Sequence, residues 1–258
     1  MQLALDIGNT DIHGTVFDDA GSPVVDFRKA TGTNLSRDEF GVFLLQVLAG
    51  NNVPPEAVTE TAIACVVPGI QDAVVAAVNH YLGHPPLVLQ AGVKTGLKIK
   101  TQVPGEVGAD RIANAIAACH LFPDTDRLVI DFGTATTVDA ISADNAYLGG
   151  VIAAGIGLSM RALATGTAKL PSVAIEAPSR ACGRTTATNI QSGLYYGHLG
   201  MLKELTARIS NEAFAGRRPV VLATGGYAPL FADARLFDTI EPHLVQIGLR
   251  RALTLNPT

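Results

Sequence analysis

The chain opens on an apolar run, Leu3-Ala4-Leu5, that ends in Asp6-Ile7-Gly8-Asn9-Thr10, and a second apolar-rich run occupies residues 12–17. Two such runs around a tight glycine turn predict a β-hairpin, with an aspartate at the end of its first strand. The pattern returns 125 residues later as Leu128-Val129-Ile130-Asp131-Phe132-Gly133-Thr134-Ala135-Thr136, followed by a strand-like run over 137–141. One Asp-x-Gly turn is a weak signal. Two of them, about half the chain apart, predict a duplicated domain, divided as residues 1–115 and 116–258 with a hinge near 112–127.

Between the hairpins, periods of 3.6 and 2 alternate. Apolar residues at Phe40, Phe43, Leu44 and Val47 predict a helix over 38–48. Helical spacing recurs over 71–82, 158–165, 188–208 and 242–253. An Ala-rich helix opens at Gly108-Ala109-Asp110-Arg111 and runs to residue 121, with Pro123 just beyond it. Short runs at 61–67, 86–89, 148–154 and 220–223 read as strands, the last leading into Thr224-Gly225-Gly226. Strands alternating with helices predict a mixed α/β architecture.

Composition narrows the class. Hydrophobic residues make up 48% of the 258 positions and charged residues 16%, against about 25% charged in ordinary globular chains. That balance excludes a disordered chain. No run approaches the ~18 apolar residues of a membrane span. A net charge of −4 argues against a nucleic-acid partner. The acid at position 6 interrupts what would be a leader's apolar stretch, so a cytoplasmic setting is expected. Cys65, Cys119 and Cys182 lack metal-ligand or CxxC spacing and read as small buried hydrophobes.

The chemistry then rests on the glycine turns. No GxxxxGK[ST], intact GxGxxG or HExxH is present. Gly8 and Gly133 would let backbone N–H groups approach phosphate oxygens, and Asn9, Thr10, Thr134, Thr136 and Thr137 add uncharged donors. Asp6 reads either as a ligand of Mg²⁺, directly or through water, as phosphoryl transfer requires, or as the aspartate of a plain hairpin that satisfies local N–H groups. Gly225 and Gly226 would admit a flat adenine, or simply form a strand-to-helix turn. Asp110 reads either as a helix cap or as a general base toward a substrate hydroxyl. Arg111 reads as a fork for a carboxylate or phosphate, or as a surface ion pair. Asp131 either binds a metal or caps its turn. Gly149, Gly150, Gly155 and Gly157 form a ligand-approach loop or a structural turn.

These motifs, in this order, resemble the type III pantothenate kinases. The likeness is carried by Asp6-x-Gly8-Asn9-Thr10, Val66-Val67-Pro68, Gly92-x-Lys94-Thr95-Gly96 and Glu106-Val107-Gly108-Ala109-Asp110-Arg111. It continues through Asp131-Phe132-Gly133-Thr134-Ala135-Thr136-Thr137, Gly149-Gly150-x-Ile152, Ala168-Lys169-Leu170-Pro171, Thr186, Gln191-Ser192-Gly193 and Thr224-Gly225-Gly226.

The resemblance implies two ribonuclease-H-like, actin-like domains, each a mixed sheet flanked by helices, with a nucleotide cleft between them. It implies ATP-dependent phosphorylation of pantothenate to 4′-phosphopantothenate, the first step of coenzyme A synthesis, with Mg²⁺ and a monovalent cation, K⁺ or NH₄⁺. It implies that Asp6 serves metal and phosphates, Asp110 is the base, Gly108 and Arg111 hold pantothenate, and Asp131 lies at the monovalent-cation site. It also implies a homodimer in which Thr186 reaches pantothenate in the neighbouring subunit.

Departures fall around the acceptor. Thr101 and Val103 precede Pro104 where the family carries Tyr and Asn, Ala154 replaces a proline before Gly155, Thr185 stands for the usual Asn, and Asp11 sits where Asn is common. The alternatives are a divergent member with another acceptor, a regulatory nucleotide binder, or a nucleotide or polyphosphate hydrolase.

Overall fold

A computed structural model describes residues 1–32 and 34–257. The chain divides into two compact units. Unit 1 comprises Met1–Leu97, Gln102–Leu121 and His243–Thr258, and unit 2 comprises Lys98–Thr101 and Phe122–Pro242. The units do not follow the chain linearly, because the last helix returns to unit 1.

In unit 1, β1 (Gln2–Ile7), β2 (Asp11–Phe17) and β3 (Pro23–Ala30) form an antiparallel meander. Parallel strands β4 (Glu60–Cys65) and β5 (Leu87–Val88) extend the sheet from β1, giving the order β3-β2-β1-β4-β5. Alternation along β1 decides what each face meets. Leu3, Leu5 and Ile7 pack with Phe40, Leu44 and Leu48 of α1 (Arg37–Gly50) and with Ile70, Val74 and Val78 of α2 (Pro68–Leu82). On the opposite face Ala4, Ala62 and Ala64 meet Ala113 and Ile116 of α3 (Ala109–Leu121) and Leu249 and Ala252 of α6 (Leu244–Leu255). Small side chains on that face let the two helices lie close to the sheet.

Helices α3 and α6 also approach each other closely. A Cβ at Gly248 would overlap the Ala113 carbonyl of α3. Gly248→Ala therefore has to part the two helices. Its expected cost is about 1–3 kcal/mol of stability, read as a lower urea midpoint at unchanged m-value.

Unit 2 repeats the sheet. β7 (Arg127–Phe132), β8 (Ala135–Ile141) and β9 (Ala146–Ala154) form the antiparallel meander. The parallel strands β10 (Val220–Thr224) and β11 (Thr239–Ile240) extend it from β7. The short β6 (Lys98–Ile99) adds to the far edge of β9, giving β11-β10-β7-β8-β9-β6. The echo read in the sequence is thus a repeated topology: each hairpin heads a meander, and each first strand carries two parallel neighbours on its other side. Leu128, Ile130 and Phe132 pack with Met160 of α4 (Ile156–Gly166), with Leu194 and Leu202 of α5 (Thr186–Phe214), and with Phe231. The fully buried Arg127 anchors the start of β7 by donating to the carbonyls of Phe122 at 2.6 Å and Ser142 at 3.0 Å.

Helices α1 to α6 and strands β4, β5, β9 and β10 coincide with predicted runs to within a few residues. β3, β6 and β11 do not appear among those runs. Cys65 and Cys119 are half-buried and Cys182 is exposed, so the expectation of three buried cysteines is corrected. Cys182 lies in the extended segment before α5, outside either core. Among the described residues, no helix is long and apolar enough to cross a membrane.

Candidate active site

Within unit 1, Asp6 is the penultimate residue of β1, half-buried on the face that receives α3 and α6. Its partner across the β1–β2 ladder is His13, and its partner on β4 is Ala64. The turn after it is tightly held. Gly8 N–H donates to the Asp11 carbonyl at 3.0 Å, and the Thr31 hydroxyl donates to the Gly8 carbonyl at 2.7 Å. Asn9 and Thr10 stand exposed at the tip. The end of β4 lies alongside, where Val66 N–H donates to the Ile7 carbonyl at 3.1 Å. Burial first, and the Asp6 charge as well, raise the Cys65 thiol above its ordinary pKa, so that cysteine stays protonated.

Asp110 occupies the second position of α3, not the cap. Its Oδ1 accepts the Arg111 backbone N–H at 2.7 Å. Burial pushes its pKa up, against the opposing pull of that N–H and of the Arg111 charge. A Cβ on Gly108 would collide with Asp110 Oδ1, so the glycine makes room for this carboxylate conformation. A carboxylate raised toward neutrality at the mouth of a helix is suited to accept a proton.

Within unit 2, the second glycine turn is built by close backbone approach. Asp131 pairs with Thr137 on β8 and with Thr224 on β10. The next residue, Gly225, has φ +89°. A Cβ there would sit 2.6 Å from both Asp131 Oδ1 and the Phe132 carbonyl carbon. The turns at Gly133 and at Gly225 are thereby brought together, with Asp131 between them. A Cβ on Gly155 would overlap the carbonyls of Gly133 and Thr134, and Gly155 N–H donates to the Thr134 carbonyl at 3.2 Å. Gly155, expected in a ligand-approach loop or a structural turn, braces the Gly133-Thr134 turn. The Thr136 and Thr137 hydroxyls are buried with no hydrogen-bond partner among the described residues. A buried hydroxyl without a partner is costly unless water or a ligand meets it.

The residues expected to hold the acceptor divide between the units. Gly108, Asp110 and Arg111 belong to unit 1, whereas Thr101 and Thr186 belong to unit 2. Thr101 is half-buried and its hydroxyl has no partner among the described residues. Thr186 is the exposed first residue of α5, which Thr185 and Thr188 cap reciprocally. It is among the residues lining a cavity of about 640 Å³, whose walls are largely apolar side chains including Leu163, Leu170, Ile190 and Met201. Gly133 and Gly225 do not line that cavity.

Comparison with known proteins decides the family. The family model described as type III pantothenate kinase matches residues 2–208. The chain belongs to the type III pantothenate kinase family. A type III pantothenate kinase of Legionella pneumophila (strain Corby) is 51% identical over 257 residues, covering 99% of each chain. A type III pantothenate kinase of Elusimicrobium minutum is 43% identical, again over 99% of both. Solved structures show the fold further afield. The activator of the 2-hydroxyisocaproyl-CoA dehydratase from Clostridium difficile with bound ADPNP matches with TM-score 0.54 at 14% identity, over 98% of this chain and 93% of that one. A ROK family glucokinase from Streptomyces griseus in complex with glucose and AMPPNP matches with TM-score 0.52 at 14% identity, over 96% and 97%. The twice-repeated sheet is the duplicated ribonuclease-H-like fold of the actin-like ATPases and sugar kinases.

Proposed function

We propose that this chain transfers the γ-phosphoryl group of ATP to the primary hydroxyl of pantothenate, giving ADP and 4′-phosphopantothenate. The observation that carries the reading is Asp110: a carboxylate raised by burial, beside Arg111 at the start of α3, in a chain of this family. The hydroxyl oxygen attacks the γ-phosphorus, the bond to the β,γ-bridging oxygen breaks, and ADP leaves with the electron pair. The hydroxyl proton passes to Asp110. Arg111 and Gly108 hold the acceptor.

In unit 1, Gly8, Asn9 and Thr10 bind phosphate oxygens. In unit 2, Gly133, Thr134 and Thr136 do the same, and Gly225 and Gly226 pack against the nucleotide. The partnerless Thr136 hydroxyl and the glycine contacts support that assignment. Asp6 offers a half-buried carboxylate and Thr10 a hydroxyl, hard oxygen donors that fit Mg²⁺. The ion would neutralise charge on the β- and γ-phosphates. Asp131, enclosed by the Gly225 backbone, is the proposed ligand of a monovalent cation, K⁺ or NH₄⁺. A homodimer, with Thr186 serving the neighbouring subunit, a cytoplasmic location, and a duplication boundary between residues 115 and 116 complete the reading.

The test is ADP release by purified protein with and without pantothenate and K⁺, alongside other hydroxy acids. Pantothenate-dependent turnover with stoichiometric 4′-phosphopantothenate is expected. Equal ATP loss without any acceptor would make the protein a hydrolase. Turnover only with another hydroxy acid would move the acceptor, at Thr101 and Val103 first. Nucleotide binding with no turnover would make it regulatory.

A further inference from the structure

A second polar cluster lies in unit 1, on the sheet face shared by α3 and α6, and nothing in the proposed reaction uses it. His13 on β2, Asp26 on β3 and His243 before α6 bring three ligand atoms within 4.8 Å of one another. We propose that His13, Asp26 and His243 form a binding site for a divalent transition-metal ion of the zinc type. The ion would join the β2–β3 ribbon to the start of α6.

The spacing is close to what a tetrahedral ion needs. Zinc bonds of about 2.0–2.1 Å place ligand atoms about 3.3 Å apart. Asp26 Oδ1 lies 3.4 Å from His243 Nδ1 and 2.7 Å from His13 Nε2. The first separation already fits, and the second opens when the ion replaces the proton between them. Two imidazoles and one carboxylate suit zinc, cobalt or nickel better than the harder Mg²⁺. The fourth position faces water, because the Asp26 and His243 side chains are partly exposed while His13 is only 5% exposed.

The surroundings hold the ligands in order. The Thr15 hydroxyl donates to Asp26 Oδ1 at 2.9 Å. The Gln246 side-chain amide meets His13 Nδ1 at 2.8 Å, and turning it over would present its oxygen to an Nδ1–H. Burial, with Arg28 nearby, lowers the His13 pKa and keeps the ring neutral. Burial raises Asp26, but hydrogen bonds from His13 and Thr15 outweigh it and keep the carboxylate charged.

Arg28 is the opposing group. Its Nη2 donates to His13 Nδ1 at 3.1 Å, which stabilises the tautomer that carries its proton on Nε2. Metal binding moves that proton to Nδ1, so Arg28 must withdraw. It is half-exposed and already donates to Asp11 at 2.9 Å, which gives it somewhere to go. Removing Arg28 is therefore expected to tighten the site, an outcome a purely structural His-Asp pair would not produce.

The experiment titrates chelator-treated full-length protein, without nucleotide, with Zn²⁺ by calorimetry and Co²⁺ by absorbance. One equivalent is expected, with a visible ligand-field band of low-symmetry cobalt. Asp26→Asn and His243→Gln should each weaken binding about 100-fold, and Arg28→Met should tighten it about tenfold. Circular dichroism establishes that each variant is folded. The proposal is overturned if the wild type binds no equivalent, or if both ligand variants bind as the wild type does. It is equally overturned by a sulfur-to-cobalt charge-transfer band, which would place the ion on Cys65, Cys119 or Cys182.

Discussion

Asp110→Asn is expected to lower kcat for pantothenate phosphorylation by about 10²–10⁴-fold, the usual contribution of a positioned general base, which is the role proposed for Asp110. The amide oxygen still accepts the Arg111 N–H that Asp110 Oδ1 accepts at 2.7 Å, so α3 is expected to keep its start. Stability should move the other way. The folded pKa of Asp110 is raised by burial, so the folded state holds this proton more tightly than the unfolded state does. Stability from this group is full below the ordinary aspartate pKa and falls as pH rises toward the raised folded value. At neutral pH the wild type carries a buried charge that asparagine lacks, so the variant should melt higher there. The difference should vanish on acidification below the ordinary aspartate range. Activity has the matching profile: the acid limb of kcat/KM should lie above the ~3.9 of a free aspartate. A variant that is both less active and less stable at neutral pH would assign Asp110 a structural role instead.

The parts of this site that could be read from sequence are those whose signals are local. Asp6-x-Gly8 and Asp131-x-Gly133 announce themselves within a few residues, and their repetition revealed the duplicated sheets. Gly108 was reached only through the family resemblance; the contact that explains it, with Asp110 two residues on, is a fact of the folded backbone. β3 was missed because only Val25 and Phe27 face the core there, too few to establish a period of 2. β6 and β11 are two residues each and exist only through their partners. The return of α6 to unit 1 is a tertiary fact: its seat is the gap that Ala4, Ala62, Ala64 and Ala113 leave. The cluster of His13, Asp26 and His243 was invisible for the same reason. The six histidines share no spacing, and the register of β2 with β3 and the placing of α6 bring those three side chains together.

Gly225→Val is expected to be the most damaging single change in unit 2. The backbone there sits at φ +89°, a region that costs an L-residue about 1–2 kcal/mol. A valine Cβ would also meet Asp131 Oδ1 and the Phe132 backbone at about 2.6 Å. Neither neighbour gives way easily, since both lie at the end of the central strand β7, flanked by β8 and β10. The strain therefore shifts the Gly225 turn, the Asp131 carboxylate and the Gly133 turn together. Misplacement of about 1 Å can cost 10²-fold in rate, so kcat/KM for ATP should fall about 100-fold and the melting temperature should drop. Gly226→Ala separates the two causes. A Cβ at Gly226 meets nothing within 4 Å, so its stability should match the wild type. If Gly226 faces the nucleotide, that variant should raise KM for ATP at unchanged melting temperature. A Gly226→Ala enzyme with wild-type KM would remove Gly226 from the nucleotide site, leaving Gly225 as a residue the fold alone requires.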